Sequence, residues 1–455
     1  MKIKKLIAAA VAICLTAGAM PVTEQYMPEI TSFAADDYTY VEENNLFYYV
    51  FDDYAELAYG TNLDGVDLVI PDTINNVPVT IISRRAFQNS RLKSVVIPDS
   101  VTTIDKSAFR ECENLTSVKI GKGVTSIADS AFEWCTSLKS IEIPENVTNI
   151  GDLLFDNCES LENVKLPDNM ETIVYGMFQR CTSLKSIVIP DSVKTIDTNA
   201  FYGCSGLTSV TFGKNISEIG NNAFTNCTSL KTMTIPETVT TLKDGVFVNS
   251  TGLESITIPD NVTSMGISMF SDCSSLKSVK IGSGITEIPD AAFRRCTSLK
   301  TITLSENINS IGNQAFTGCS SLESIIIKNP DCVIEDRKDT IATDEKTFDG
   351  IIYGYKGSTA EEYADKYNYR FMDITLFYLG DVNLDGAVDA VDASLVLTEY
   401  ALTSTGNESI FDDFCRIEAD VNRDGAVDAI DASLILSYYA YKATGGDMPV
   451  YEFIQ

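Results

Sequence analysis

Phenylalanine recurs every 23 residues through the middle of this chain, and that interval constrains the fold more than any other feature. Phe109, Phe132, Phe155, Phe178, Phe201, Phe224, Phe247, Phe270, Phe293 and Phe316 keep the interval; Phe87 opens the series with one residue deleted after it. A leucine follows six residues behind each of these, from Leu115 to Leu322. A fixed period of this length implies a solenoid, in which each unit buries its apolar face against its neighbours. It excludes a single irregular core of unrelated segments.

One unit reads CTSLKSIVIPDSVKTIDTNAF, residues 181–201. Leu184, Ile187 and Ile189 alternate as the inward positions of a short strand that ends at Pro190. Val193 and Ile196 mark a second short extended piece. The segment DTNAFYGC, carrying Ala200 and Phe201, is expected as a helical or 3₁₀ turn. Nine cysteines keep the same interval: Cys112, Cys135, Cys158, Cys181, Cys204, Cys227, Cys273, Cys296 and Cys319, with Ser250 in the one gap. Equivalent positions stack in a column, and nine cannot pair fully. A reduced, buried ladder is the favoured expectation; disulfides between neighbours and a metal–thiolate array are the alternatives. The pattern Leu-x-x-Ile-x-Ile-Pro, Val-x-x-Ile, Ala-Phe-x-x-Cys resembles the leucine-rich repeats of BspA-like surface proteins.

A solenoid needs caps over its terminal faces. Residues 36–86 are expected to form an N-terminal cap with a diverged repeat, 87–327 the repeat solenoid and 328–377 a C-terminal cap. FYYVFDDYAELAYGTN supplies paired strand-like runs for the first cap; the second is expected to carry a strand, a turn and a short helix from Ser358.

Beyond the caps lie two near-copies, DVNLDGAVDAVD at 381–392 and DVNRDGAVDAID at 420–431. Oxygen-bearing side chains fall at loop positions 1, 3, 5, 9 and 12: Asp381, Asn383, Asp385, Asp389 and Asp392, then Asp420, Asn422, Asp424, Asp428 and Asp431. Gly386 and Gly425 take position 6, where an EF-hand loop turns sharply; Ala387 and Ala426 take position 7, where the backbone carbonyl is the usual ligand. Hard oxygen donors at this spacing point to calcium, one ion per loop. Position 12 is Asp where the ordinary EF-hand has Glu. ITLFYLG, before the first loop, has strand-like composition, so only an exit helix is expected after each loop. A calcium loop with its exit helix alone (an F-hand loop), duplicated, resembles a type I dockerin, and VDASLVLTEYA and IDASLILSYYA are similar to words of ruminococcal dockerins. The domain is expected over 379–455. The resemblance implies docking onto a cohesin module of a cellulosome-type scaffold. Carried over by motif, the contact positions are Ala390, Val391, Leu397 and Thr398, then Ala429, Ile430, Leu436 and Ser437. These are mostly apolar, where the clostridial pattern has Ser/Thr. The likeness of the halves permits two binding orientations related by a half-turn.

The formal charge of −30 argues against a polyanionic partner, since phosphate recognition needs clustered Lys and Arg. Histidine is absent, which excludes Ser-His-Asp and Cys-His catalysis and His-ligated zinc within this chain. Paired carboxylates remain as conceivable acid–base groups. At the N-terminus, Lys2, Lys4 and Lys5 precede the apolar run LIAAAVAICLTAGA, a secretory signal over 1–34 with cleavage after Ala19 or Ala34. No later segment reads as a membrane span. The expectation is a secreted, non-catalytic recognition protein, mainly β with short helices: a parallel β leucine-rich-repeat solenoid followed by a small α dockerin. Its repeat face takes a protein or glycan ligand, and the dockerin holds it to a surface scaffold. A surface adhesin or host-factor binder shares that architecture. A carboxylate-based polysaccharide hydrolase would need an insertion to build a pocket, and the regular units offer none.

Overall fold

Each repeat unit builds two short strands and one turn, and the three pieces stack in separate columns. The computed structural model describes residues 38–454 except 345–346, 375–378, 384, 408, 412 and 423. The expected signal segment lies outside the described residues. In the unit at 181–203, strand Ser186–Val188 turns Ile187 inward, and strand Thr195–Ile196 buries Ile196. Neighbouring units pair in parallel with no slip: Ser186 faces Ser209, Ile187 faces Val210, and Thr195 faces Glu218. The register holds because a one-residue shift would turn every inward side chain out.

The third column departs from expectation. The Phe segment is neither helical nor 3₁₀; it is a turn with two left-handed residues per unit, such as Ser107 (φ 58°) and Glu111 (φ 62°). Alternate amides leave the unit. Ser107, Phe109 and Glu111 donate to the carbonyls of Asp129, Ala131 and Glu133 at 2.7 to 3.0 Å. Between them, Ala108, Arg110 and Cys112 donate three residues back within the same turn. A left-handed residue other than glycine costs about 1 kcal/mol or more. The bonds between units offset that cost, because they satisfy turn amides that would otherwise be buried without partners.

Inside the turn column the phenylalanines form one stack. From Phe87 to Phe316, successive ring centroids lie 5.0 to 6.0 Å apart with planes within 19° of parallel. The cysteine column runs beside it, reduced and buried. Each thiol of the ladder donates to the Phe carbonyl of the preceding unit, as Cys181 Sγ does to Phe155 O at 3.2 Å. Ser250 fills its gap by the same bond, donating to Phe224 O at 2.7 Å. Burial pushes the thiols of Cys204, Cys273 and Cys319 up to about 12. Thiolate is therefore scarce at neutral pH, and the column is chemically quiet. We expect alkylating reagents to miss the ladder in the folded chain and to label it on unfolding. Cys181→Ser should melt close to wild type; Cys181→Ala should lose about 1 kcal/mol with its hydrogen bond. Thermal denaturation checks both.

At the N-terminal end, β1 (Thr39–Glu43), β2 (Leu46–Val50) and β3 (Ala55–Gly60) run antiparallel. The tight turn between β1 and β2 uses Asn44 and Asn45, both at positive φ. β3 then pairs in parallel with strand Val77–Ile82, so the cap continues directly into a strand column. At the other end, strands Ile351–Gly354 and Arg370–Asp373 extend the first column. Between them lies α1 (Thr359–Tyr367), which starts as expected at Ser358, whose side chain accepts from Glu361 N. It stops at left-handed Asn368.

The C-terminal region is helical: α2 (Ala390–Ser404), α3 (Asp413–Ala419), α4 (Ala429–Ala443) and α5 (Val450–Phe453). Its core joins Leu379, Val382, Ala393, Val396, Val421, Ala432 and Ile435. The expectation of exit helices alone needs correction at the second copy. The seven-residue α3 leads into that loop, and Asp420 N, just past it, donates to Arg416 O.

Candidate metal loops and docking face

Each acidic loop closes on itself through carboxylate–amide hydrogen bonds, in the same pattern in both copies. Asp381 accepts from Asp385 N at 3.1 Å with one oxygen and from Gly386 N at 2.9 Å with the other. Asp420 does the same with Asp424 N and Gly425 N at 3.1 and 2.9 Å. Position 6 requires glycine: φ is +89° at Gly386 and +88° at Gly425, a region that L side chains disfavour. Position 5 accepts from position 7, Ala387 N or Ala426 N, at 2.9 Å. The position 3 amide reaches across to position 5: Asn383 Nδ2 to Asp385 and Asn422 Nδ2 to Asp424, at 2.9 and 3.0 Å.

Position 12 ties the far end of the loop to its beginning. Asp392 accepts from Val382 N and Asn383 N with one oxygen and from Asp389 N with the other. Asp431 accepts from Asn422 N and Asp428 N. Position 9 has two duties. Asp389 and Asp428 are also the N-caps of α2 and α4, and both close a capping box with position 12. The Asp389 and Asp428 backbones agree to within 2° in φ and ψ. The loops thus bring positions 1, 3, 5, 9 and 12 around one short turn. Among the described residues no three His, Cys, Asp or Glu groups are drawn together tightly enough to hold an ion.

The electrostatics give the loops a reason to take a cation. Asp381, Asp392 and Asp431 are buried. Burial pushes all three carboxyls above their ordinary range; like charges push the same way, Asp392 and Asp385 on Asp381, and Asp389 on Asp392. The loop amides oppose this without cancelling it. Every donor is a hard oxygen, and an oxygen that holds one amide keeps a second lone pair. In chemical type and loop position the donors therefore suit a divalent cation such as calcium, which would have to draw the carboxylates closer than they stand in the ion-free loops. A folded carboxyl with a raised pKa binds protons more tightly than its unfolded counterpart. The ion-free loops therefore lose stability as pH rises from the ordinary Asp value of ~3.9 into the raised range. Protons compete with the ion, so we expect calcium affinity to hold at neutral pH and fall on acidification before pH reaches ~3.9. Calcium titrations across that window check it.

The exit helices present a matched pair of surfaces. All eight docking positions named from the sequence are exposed: Ala390, Val391, Leu397 and Thr398 on α2, and Ala429, Ile430, Leu436 and Ser437 on α4. Thr398 and Ser437 each donate back one turn, to Ser394 O and Ser433 O at 2.8 Å. Sequence reasoning missed Tyr400 and Tyr439, which extend each patch by one turn. Val391, Leu397, Tyr400, Ile430, Leu436 and Tyr439 are 42 to 55% exposed. The missed signal was the i, i+3 step from Leu397 to Tyr400, repeated from Leu436 to Tyr439.

The halves differ on their inner side. Glu399 is buried, and its counterpart 39 residues on is Tyr438. Glu399 accepts from Ser409 Oγ at 2.5 Å, Ile410 N at 2.8 Å and Arg416 Nη2 at 3.4 Å. Burial pushes this carboxyl up, and the bonds from Ser409, Ile410 and Arg416 outweigh it, leaving it below its ordinary range. Tyr438 instead donates to Met448 O at 3.2 Å, while Tyr441 stacks on Phe453 at 5.0 Å. Two nearly identical outer faces therefore rest on two different inner supports.

A family model described as BspA type leucine rich repeat region matches in six copies across 80–208 and 194–323, more than half of the chain. A model for the dockerin type I domain matches 379–439. No curated protein matches. Among solved structures, a leucine-rich repeat protein from Bacteroides ovatus is 29% identical with a TM-score of 0.54, covering 75% of this chain and 100% of its own. A leucine rich cell surface protein from Faecalibacterium prausnitzii is 29% identical at a TM-score of 0.49, over 69% of this chain and 100% of its own. The pneumococcal vaccine antigen PcpA shares the fold at 17% identity and a TM-score of 0.50, over 74% and 98%. Repeats of this type recognise proteins, type I dockerins bind calcium and dock on cohesins, and both are non-catalytic kinds of domain. Proteins of both kinds are typically extracellular or surface-associated, and no helix among the described residues is long and apolar enough to cross a membrane. Repeat column, phenylalanine stack and doubled loops agree with these matches: the chain belongs to the BspA-type leucine-rich repeat family and carries a C-terminal type I dockerin domain.

Proposed function

We propose that this is a secreted, non-catalytic recognition protein that its dockerin holds on a cohesin of a cellulosome-type scaffold in a calcium-dependent way. The observation that carries the reading is the pair of loops, alike in the bonds that positions 1, 3 and 5 make and in the capping box, each opening a helix with the same exposed apolar row. Two calcium ions would be held by Asp381, Asn383, Asp385, Ala387, Asp389 and Asp392, and by Asp420, Asn422, Asp424, Ala426, Asp428 and Asp431. Bound calcium would supply the positive charge that relieves repulsion among the loop carboxylates. The loops, so held, fix the start of α2 and α4 through their capping boxes and set the two helix faces in register. We place the parts at 36–86, 87–327, 328–377 and 379–455, with a signal segment at 1–34. The repeat face, with its exposed ion pairs such as Lys165–Glu142 and Lys277–Glu254, is the surface for the ligand.

The docking face is tested by charge insertion in one half or both. Because the faces match, a cohesin can use either. Leu397→Asp alone should leave the affinity within about twofold, since the α4 face remains. Leu397→Asp with Leu436→Asp should cost about a hundredfold or more, the scale of interface hot spots. Complete loss from the single change would count against two orientations; no loss from the double change would remove these helices from the interface.

A further inference from the structure

The N-terminal hairpin carries a surface that docking leaves unused. On β2, Leu46, Tyr48 and Val50 enter the core, so Phe47, Tyr49 and Phe51 occupy the opposite face. Tyr40 on β1 is paired with Tyr49, and Tyr59 on β3 is paired with Phe47, so both join that face. The rings form a row: Phe47 stacks on Tyr59 at 4.4 Å and Tyr40 on Phe47 at 5.8 Å. Tyr40 and Tyr59 share a hydroxyl hydrogen bond of 2.5 Å. Tyr38 stands edge-on to Tyr49 at 4.9 Å. Tyr38 and Tyr40 are each 49% exposed, an aromatic surface of the kind that marks an interaction site.

Its charge selects the partner. Residues 38–60 hold Glu42, Glu43, Asp52, Asp53 and Glu56 and neither Lys nor Arg. Glu42 pairs across from Phe47 and Glu56 from Tyr49, which puts both carboxylates among the rings. Glu56 is half-buried, and among the described residues the one hydrogen bond to its side chain comes from Ser83 Oγ at 3.4 Å. β1 is the end strand of its sheet, with one edge unpaired among the described residues.

We propose that this face binds an extended, lysine- or arginine-rich segment of a partner polypeptide. Such a segment adds to the β1 edge by main-chain hydrogen bonds, and alternate side chains then fall on the ring face. Cations there meet the tyrosine rings and the two carboxylates together. The chain's own residues 20–37 are a poor occupant, because they carry Glu24, Glu29, Asp36 and Asp37 and no cation.

The probe is a fluorescent peptide of alternating Lys and Thr, about ten residues long, long enough to run the length of an edge strand. Titrated with the full chain, it should bind. Tyr40→Ser, which leaves net charge unchanged, should weaken binding about tenfold, and Glu56→Gln should weaken it similarly. Glu306→Gln, an exposed carboxylate remote from the hairpin, should not, and matching melting curves will show that the variants fold. No binding would overturn the proposal. So would equal binding by wild type and Tyr40→Ser, the mark of general attraction to an acidic chain. Occupation of this face by a neutral oligosaccharide with no binding of the basic peptide would also overturn it.

Discussion

Asp381→Ala combined with Asp420→Ala should abolish cohesin binding and unfold the helical C-terminal region while the repeats stay folded. Position 1 is where each loop is pinned: both of its oxygens accept loop amides, so its loss frees the position 6 amide and leaves the position 5 amide to Asn383 or Asn422 alone. It also removes a hard donor from each loop. At calcium a thousandfold above the dissociation constant, one site contributes about 4 kcal/mol to the folded state. Two such sites are comparable with the whole stability of a small domain, roughly 5–15 kcal/mol. The region's own core is small, centred on Val396 and Ile435. Circular dichroism in the helical band, followed with and without calcium, reads the loss. The single variants should keep half of the calcium uptake. A double variant that still takes up two ions would remove position 1 from the ligand set.

The second large effect belongs to the phenylalanine stack. Phe201 is fully buried and stacks at 5.3 Å on Phe178 and 5.2 Å on Phe224. Phe201→Ala should cost about 3–5 kcal/mol, the range for an aromatic truncation that leaves a cavity. In a solenoid each unit contacts only its neighbours, so the lesion weakens the coupling between the units before it and those after it. Chemical denaturation should turn from one transition into two, with the helical C-terminal region unaffected. Trp134→Ala should change little, since that side chain is 37% exposed at the outer turn. An unchanged midpoint for Phe201→Ala would contradict the stack as the structural spine.

Much of this architecture is written in the sequence because the repeat states each rule many times. Leu184, Ile187, Val193 and Ile196 read correctly as inward positions, and Ser250 in the cysteine column read correctly as a thiol's equivalent. The turn was misread for a physical reason. Its left-handed positions hold Glu111, Trp134, Arg180 and Arg295 as well as Asn and Gly. The conformation is imposed by bonds to the next unit, not by the residue's own preference, so no local signal announces it. Non-local pairing also hid Glu399, which reads as a helix-surface charge until Arg416 and Ser409 fold over it. α3 is only seven residues, DFCRIEA, too short for a helical period to show. The hairpin face was hidden by plain apolarity, because LFYYVF is aromatic on both faces of the strand and gives no alternation to read.

Calorimetry of the full chain against a panel of cohesins tests calcium-dependent docking most directly. With calcium present, at least one cohesin should bind with a single sharp isotherm, and a chelator should abolish the heat. The chain carrying Leu397→Asp and Leu436→Asp should bind more weakly by about a hundredfold or more with calcium and give no signal with the chelator. Binding that survives the chelator, or no calcium uptake by the chain, would contradict it.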